Sequence, residues 1–307
     1  MIEILNGGML STVQDAGRFG VMKNGFTQSG AMDSHSMKTV NALCGNDLSA
    51  PVIEMTMFGI TAEFTDSHVF CLSGGDFSPK LDGKPIENNR PYKANAGSVL
   101  QLGAAKSGMR CYLGVLGGIE VPLVMGSAST NLKIKTGGYE GRKLKTGDKI
   151  KIGNCSFEPD MTKTAEKCDY PDHIKVRVVL GPQDDMFTDT DLKFFSKQIY
   201  TVTPDLDRMG IRLSGIALRG RDGMDIISDG ITFGSIQIAR SGMPIILMAD
   251  HQTTGGYAKI ATVISVDLSK LAQARPYDKV MFDIVSVKQA ERAVKKEKNY
   301  FRKLAGR

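Results

Sequence analysis

The run Gly242-Met243-Pro244-Ile245-Ile246-Leu247-Met248-Ala249-Asp250-His251-Gln252-Thr253-Thr254-Gly255-Gly256-Tyr257 ends an apolar strand in a carboxylate, small polar side chains and two glycines. Glycine lets backbone N–H groups approach a ligand closely and form an anion-binding nest. Gln252 and Thr254 offer hydrogen bonds and Asp250 a charge. The same residues also suit a β-turn in which Asp250 and the threonines bond their own backbone. Residue chemistry alone leaves both readings open.

A second polar run is Thr12-Val13-Gln14-Asp15-Ala16-Gly17-Arg18-Phe19-Gly20, followed by Ser29-Gly30-Ala31-Met32-Asp33. Arg18 presents a planar fork suited to a carboxylate or phosphate, or it pairs with Asp15 as a structural ion pair. Asp33 precedes a helical pattern and reads as its N-cap. In Asp207-Arg208-Met209-Gly210-Ile211-Arg212-Leu213, two arginines four apart suit an anion, or pair with Asp205, Asp207 or Asp225. Gly126-Ser127-Ala128-Ser129-Thr130 is a further small polar loop with the same two readings.

Several chemistries lack their signatures. There is no GxxxxGK[ST] phosphate loop, GxGxxG, GxSxG or HExxH. The histidines His35, His68, His173 and His251 are scattered. Val21-Met22-Lys23-Asn24 only superficially matches a biotin-carrying lysine hairpin, so Lys23 reads as a solvated turn lysine. Cys44, Cys71, Cys111, Cys155 and Cys168 are widely spaced without a CxxC, which suggests neither a disulfide framework nor a zinc site. The net charge of +6 is concentrated from Lys288 to Arg307, where eight basic residues meet two acidic ones. A neutral body with one basic terminal helix is not the charged face of a nucleic-acid-binding fold. The first residues lack a basic region followed by an apolar core, and no apolar run reaches the roughly 18 residues of a membrane helix. A cytoplasmic protein is the expectation.

These groups must be held by mostly extended chain. Val99–Leu102, Arg110–Val115, Val176–Leu180, Ile236–Ile238 and Pro244–Met248 are short runs rich in β-branched and aromatic residues, bounded by Gly, Asp and Asn. Helices are expected after Asp33, where Met37, Val40 and Cys44 recur before Gly45, around Thr188 to Phe195, and from Lys288 onward. A turn-plus-strand unit recurs in Ala96-Gly97-Ser98-Val99, Thr146-Gly147-Asp148-Lys149 and, more loosely, Pro276-Tyr277-Asp278-Lys279. The polar stretch Gly153–Asp172 is the candidate linker, giving an N-terminal domain over 1–160 and a C-terminal domain over 161–307.

Taken in order, these motifs resemble the family of biotin-dependent carboxyltransferases and 5-oxoprolinase C subunits, also called allophanate hydrolase subunit 2 or kinase-inhibitor antagonist. The resemblance rests on Val13–Arg18, Ser29–Asp33, Gly45-Asn46, Tyr112–Ile119, Gly126–Thr130, Gly141–Leu144 with Gly147-Asp148, Gly181-Pro182, Asp207–Gly210, Ser228-Asp229-Gly230 and Gln252–Tyr257. Tyr277 departs from the glycine usual in the last turn, and Ala239 from a common proline.

The resemblance implies a mainly β fold of two cyclophilin-like β-barrel halves with a few short helices and a C-terminal helix. It implies two partners of the 5-oxoprolinase assembly: a B subunit resembling allophanate hydrolase subunit 1, and a LamB/YcsF-like A subunit. Together they would convert 5-oxo-L-proline to L-glutamate with ATP and Mg²⁺, with no biotin on this chain. Asp15, Arg18, Arg208 and Asp250 would then be the catalytic groups, the arginines pairing with an anion and the carboxylates positioning a proton or Mg²⁺. Ser29, Ser129, Thr130, Gln252, Thr254, Gly255, Gly256 and Tyr257 would contact the substrate. The alternatives are carboxyl transfer from carboxybiotin to a urea-like acceptor, and a non-enzymatic protein that sequesters the B subunit.

Overall fold

The computed structural model describes residues 1–155, 158–221 and 223–306. They form two units: Met1–Phe19, Ser29–Tyr170 and Lys298 onward in the first, and Gly20–Gln28 with Pro171–Glu297 in the second. The division after Tyr170 falls inside the polar stretch expected to be a linker, of which residues 156 and 157 lie outside the described residues.

The first unit holds two sheets. Ile2–Asn6 lies between Thr61–Phe64 and Lys149–Ile152 in a seven-stranded sheet, and Ser107–Val115 lies between Val52–Thr56 and His68–Asp76 in a five-stranded one. Apolar residues alternate along these strands, so each sheet offers one apolar face. Ile2, Ile4, Phe64 and Leu100 of the larger sheet and Val13, Ile53, Leu72 and Leu113 of the smaller one belong to one buried cluster. The smaller sheet is also covered by the helix Ser34–Cys44, whose Met37, Val40, Leu43 and Cys44 pack with Cys71 and Tyr112. Gly114 permits that approach, since a Cβ there would lie 2.8 Å from Val40 Cβ. Asp33 caps the helix as expected, accepting the Ser36 N–H at 2.9 Å, and Gly45 ends it at φ 75°.

The second unit closes into a seven-stranded barrel. The order is His173–Leu180, Lys259–Val263, Ser235–Ile238, Pro244–Leu247, Gly210–Ser214, Tyr200–Leu206 and Lys279–Ile284, sealed by parallel pairing of the last strand with the first. Val176, Val178, Val202, Ile236, Ile246 and Phe282 are buried. Phe195 of the helix Asp189–Lys197 stacks on Phe282 with centroids 4.5 Å apart. That helix starts at a Thr188/Asp191 capping box. A separate two-stranded ribbon joins Asp225–Gly230 to Thr254–Tyr257.

The three-fold recurrence read from the sequence is a shared turn. Gly97, Gly147 and Tyr277 adopt φ 81°, 88° and 76°, and donate their N–H groups to the carbonyls of Phe64, Ile4 and Val202. The following residues, Ser98, Asp148 and Asp278, offer carbonyls that accept the N–H groups of those same three partners. Each turn thereby aligns the strand after it against a neighbour.

Candidate functional site

Asp15 and Arg18 occupy the loop after the strand Leu10–Gln14, in the first unit. The Asp15 carboxylate accepts from Ser127 Oγ and Ala128 N–H at 2.6 Å, from Gly17 N–H at 2.8 Å, and from Ser129 Oγ. Arg18 donates to the carbonyls of Val124, at 3.2 Å, and Ser129. Asp15 thus bonds serine hydroxyls and backbone N–H groups rather than Arg18, and the loop Gly126–Thr130 is folded around both side chains. Asp15 is 8% exposed and Arg18 2%.

Thr130 Oγ1 donates to the Val13 carbonyl at 2.9 Å, while Ser29, at φ 55°, accepts from Asn131 Nδ2 at 3.1 Å. Ser29, Ser129 and Thr130 are all buried. The sequence motifs therefore meet as one compact polar network that ties three loops together.

The second network lies in the barrel unit. Arg208 precedes the strand Gly210–Ser214, and Asp250 follows the neighbouring strand Pro244–Leu247. Arg208 Nε and its terminal nitrogen reach the two Asp250 oxygens at 2.8 and 3.1 Å. His251 is fully buried, with Nδ1 2.6 Å from the Gln252 carbonyl. Burial pushes its imidazole below the ordinary range, so it stays neutral. Asp207, one of the ion-pair partners expected for the arginines, instead accepts the Met209 and Gly210 N–H groups in a local turn. Arg212 is exposed.

Gln252 and Thr254 are exposed, and Tyr257 is half-buried. Gly255 and Gly256 lie in the ribbon strand Thr254–Tyr257 rather than in an anion-binding nest. The absence of a side chain at Gly255 has a packing reason. A Cβ would fall 2.6 Å from Ile231 Cδ1 and 2.7 Å from Gln237 Nε2.

A third arrangement was not anticipated from sequence. The Lys259 side chain is only 4% exposed, and its ammonium lies 2.8 Å from Asp229 Oδ2, on a side chain 54% exposed. Lysine is rarely buried unless paired. Gln183 Oε1 accepts the Lys259 N–H at 3.1 Å, while Gln183 Nε2 approaches Asp229 Oδ2 at 3.4 Å. The Lys259 hydrogen bond is the chief cause holding the Asp229 carboxyl below its usual range. The available signal was a lysine opening a strand whose other residues are all uncharged, Lys259-Ile260-Ala261-Thr262-Val263.

A two-sheet unit and a closed barrel unit, each with a buried polar network, make this a two-unit, mainly β protein. The chain belongs to the family described as carboxyltransferase domain, subdomain A and B, which matches residues 24–284. A 5-oxoprolinase C subunit from Escherichia coli is 36% identical over 100% of this chain and 98% of its own length. A Haemophilus influenzae protein of the same name is 37% identical over 98% of this chain and 96% of its own. A Saccharomyces cerevisiae urea amidolyase is 32% identical over 92% of this chain, which spans only 16% of that protein. The solved urea amidolyase of K. lactis superposes with a TM-score of 0.93 at 28% identity, over 99% of this chain and 20% of that one. No helix among the described residues is long and apolar enough to cross a membrane.

Proposed function

We propose that this chain is the C subunit of an ATP-dependent 5-oxoprolinase, acting with the A and B subunits in the cytoplasm to convert 5-oxo-L-proline to L-glutamate. The observation that carries the reading is the coverage in both directions. Two relatives named as 5-oxoprolinase C subunits match nearly end to end, whereas this chain matches only a minor part of the urea amidolyase. The B subunit would resemble allophanate hydrolase subunit 1, and the A subunit the LamB/YcsF-like proteins.

A lactam resists hydrolysis because its amide is resonance-stabilised. Phosphorylation of the amide oxygen by Mg²⁺-bound ATP, releasing ADP, would make the ring carbon electrophilic. Water would add there, the ring C–N bond would break with a proton passing to the nitrogen, and hydrolysis of the resulting acyl phosphate would release glutamate and phosphate. This chain's part is to hold substrate and stabilise charge on the reacting oxygen. Arg18 and Asp15 shape one loop cluster, and Arg208 and Asp250 the barrel end beside Gln252. Because these four are engaged with each other or with neighbouring loops, we assign them first to fixing the loops that meet substrate, with Gln252 and Thr254 exposed at the surface.

The test is glutamate release from 5-oxoproline and ATP by this chain alone and with its A and B partners. Activity confined to the full mixture supports the reading; none in a stably assembled mixture refutes it. Carboxyl transfer to a urea-like acceptor is the second reading, favoured by the close superposition on urea amidolyase. It predicts urea-dependent consumption of carboxybiotin when a biotin carboxylase and carrier are supplied.

A further inference from the structure

We propose that Asp229 and Gln183, held side by side through Lys259, recognise the edge of an amide whose N–H and C=O point the same way, as in a five-membered lactam or urea. The inference takes only the identity of the lactam from the oxoprolinase reading. A ring of five atoms forces its amide to be cis, so donor and acceptor lie together on one edge. The complement is an acceptor and a donor at adjacent positions.

Asp229 supplies the acceptor. Its Oδ2 takes Lys259 Nζ and its Oδ1 the Gly230 N–H at 2.7 Å, leaving lone pairs on both oxygens of a side chain that is 54% exposed. Gln183 supplies the donor. Its Oε1 is occupied by the Lys259 N–H, which fixes the orientation of the amide, and its Nε2 meets Asp229 at a long 3.4 Å. A bond at that length yields readily to a better-placed acceptor.

Lys259 organises both groups, one through its ammonium and one through its backbone, and it keeps Asp229 ionised and acceptor-only at neutral pH. Asp229 also pairs with Gly255 across the ribbon, so no side chain at that opposite position covers it. Both substrate classes named among the relatives, a lactam and urea, present this edge.

The experiment uses the reconstituted three-subunit complex with Asp229→Asn and Gln183→Leu, each checked for folding and assembly. Each variant is expected to raise KM for 5-oxoproline by about tenfold, the loss of one hydrogen bond, while kcat changes by less than about twofold. With N-methyl-5-oxoproline, which has no N–H, the Asp229→Asn penalty should vanish. An unchanged KM in either variant, or a penalty that persists with the N-methyl substrate, overturns the proposal and leaves Asp229 as a pin for the ribbon. Should the wild-type mixture release no glutamate, the oxoprolinase reading falls separately. Ligand-observed NMR of 2-pyrrolidinone and urea with the full chain then decides. Binding that is lost in Asp229→Asn upholds the amide site, and no binding to the wild-type chain overturns it.

Discussion

Arg208 and Asp250 are joined twice: their side chains form a two-point ion pair at 2.8 and 3.1 Å, and Asp250 N–H donates to the Arg208 carbonyl at 2.7 Å. Side chains and backbone therefore fix the same two loop segments against each other at one end of the barrel. Both residues are more than nine-tenths buried. Removing one partner strands the other charge away from water, which costs about 3–5 kcal/mol. Arg208→Ala or Asp250→Ala should thus lower stability by that amount in chemical denaturation. The paired change Arg208→Met with Asp250→Leu should recover most of it. Loss of glutamate release in the paired variant, with stability restored, would assign the pair a role in substrate handling as well as in folding.

Tyr277 offers a test of the recurring turn. It adopts the left-handed φ that glycine takes in the two sister turns, and its side chain is 70% exposed. Left-handed backbone costs a residue with a Cβ about 1–2 kcal/mol, partly offset by the extra chain entropy of glycine, about 0.5–1 kcal/mol. Tyr277→Gly should stabilise the protein by about 0.5–1 kcal/mol, read as a rise in Tm. No gain, or a loss, would mean that the ring contributes more packing than its exposure suggests.

Local rules made much of the fold legible. Asp33 as a cap, Gly45 as a stop and the three turns all follow from chemistry within a few residues of sequence. The closure of the barrel by a parallel pair, Ile174 opposite Val280, joins residues over a hundred positions apart, and no local pattern announces it.

The candidate site divides in the same way. Motif density singled out Asp15, Arg18, Arg208 and Asp250, but not what each one bonds. Sequence proximity suggested Asp15 with Arg18, whereas the carboxylate takes Ser127 and Ser129 from a loop more than a hundred residues away. Lys259 escaped notice because its burial depends on Gln183 and Asp229, both distant in sequence.

The polar loop network should be sensitive to volume as well as to charge. Gly138 sits at φ 57°, and a Cβ there would overlap Thr130 Oγ1. Gly137, at φ 71°, would place a Cβ against the Ser129 carbonyl and the Arg18 guanidinium. Both neighbours are tied down, since Thr130 is bonded to Val13 and Arg18 to Ser129. Gly138→Ala should cost about 2–3 kcal/mol through overpacking and backbone strain. Gly20→Ala is the control: its φ of 78° carries the strain, but nothing lies within 4 Å of a Cβ there. A difference between the two variants measures the crowding alone, and equal losses would show that the loop relaxes freely around Thr130.

Acid should unfold the barrel unit in two separable windows. His251 is buried neutral, its pKa lowered chiefly by loss of solvent. The unfolded chain binds a proton near pH 6.5 that the native state refuses, so stability falls as pH drops below about 6.5. Asp267 behaves as a paired carboxylate. Burial, the largest influence, pushes its pKa up, but hydrogen bonds from the Arg177 side chain and N–H and from Lys270 outweigh it, and the net shift is downward. Its contribution is present above the unfolded value of about 3.9 and is lost as pH falls through the lower folded value. Tm measured against pH should therefore show one decline beginning near pH 6.5 and a steeper one below about pH 4. His251→Asn keeps a nitrogen able to bond the Gln252 carbonyl, and should flatten the first decline. Asp267→Asn should lower Tm at neutral pH and shrink the second. A wild-type Tm that is level from about pH 7 to 5 would contradict a neutral, buried His251, because that state requires the native protein to exclude a proton the unfolded chain accepts.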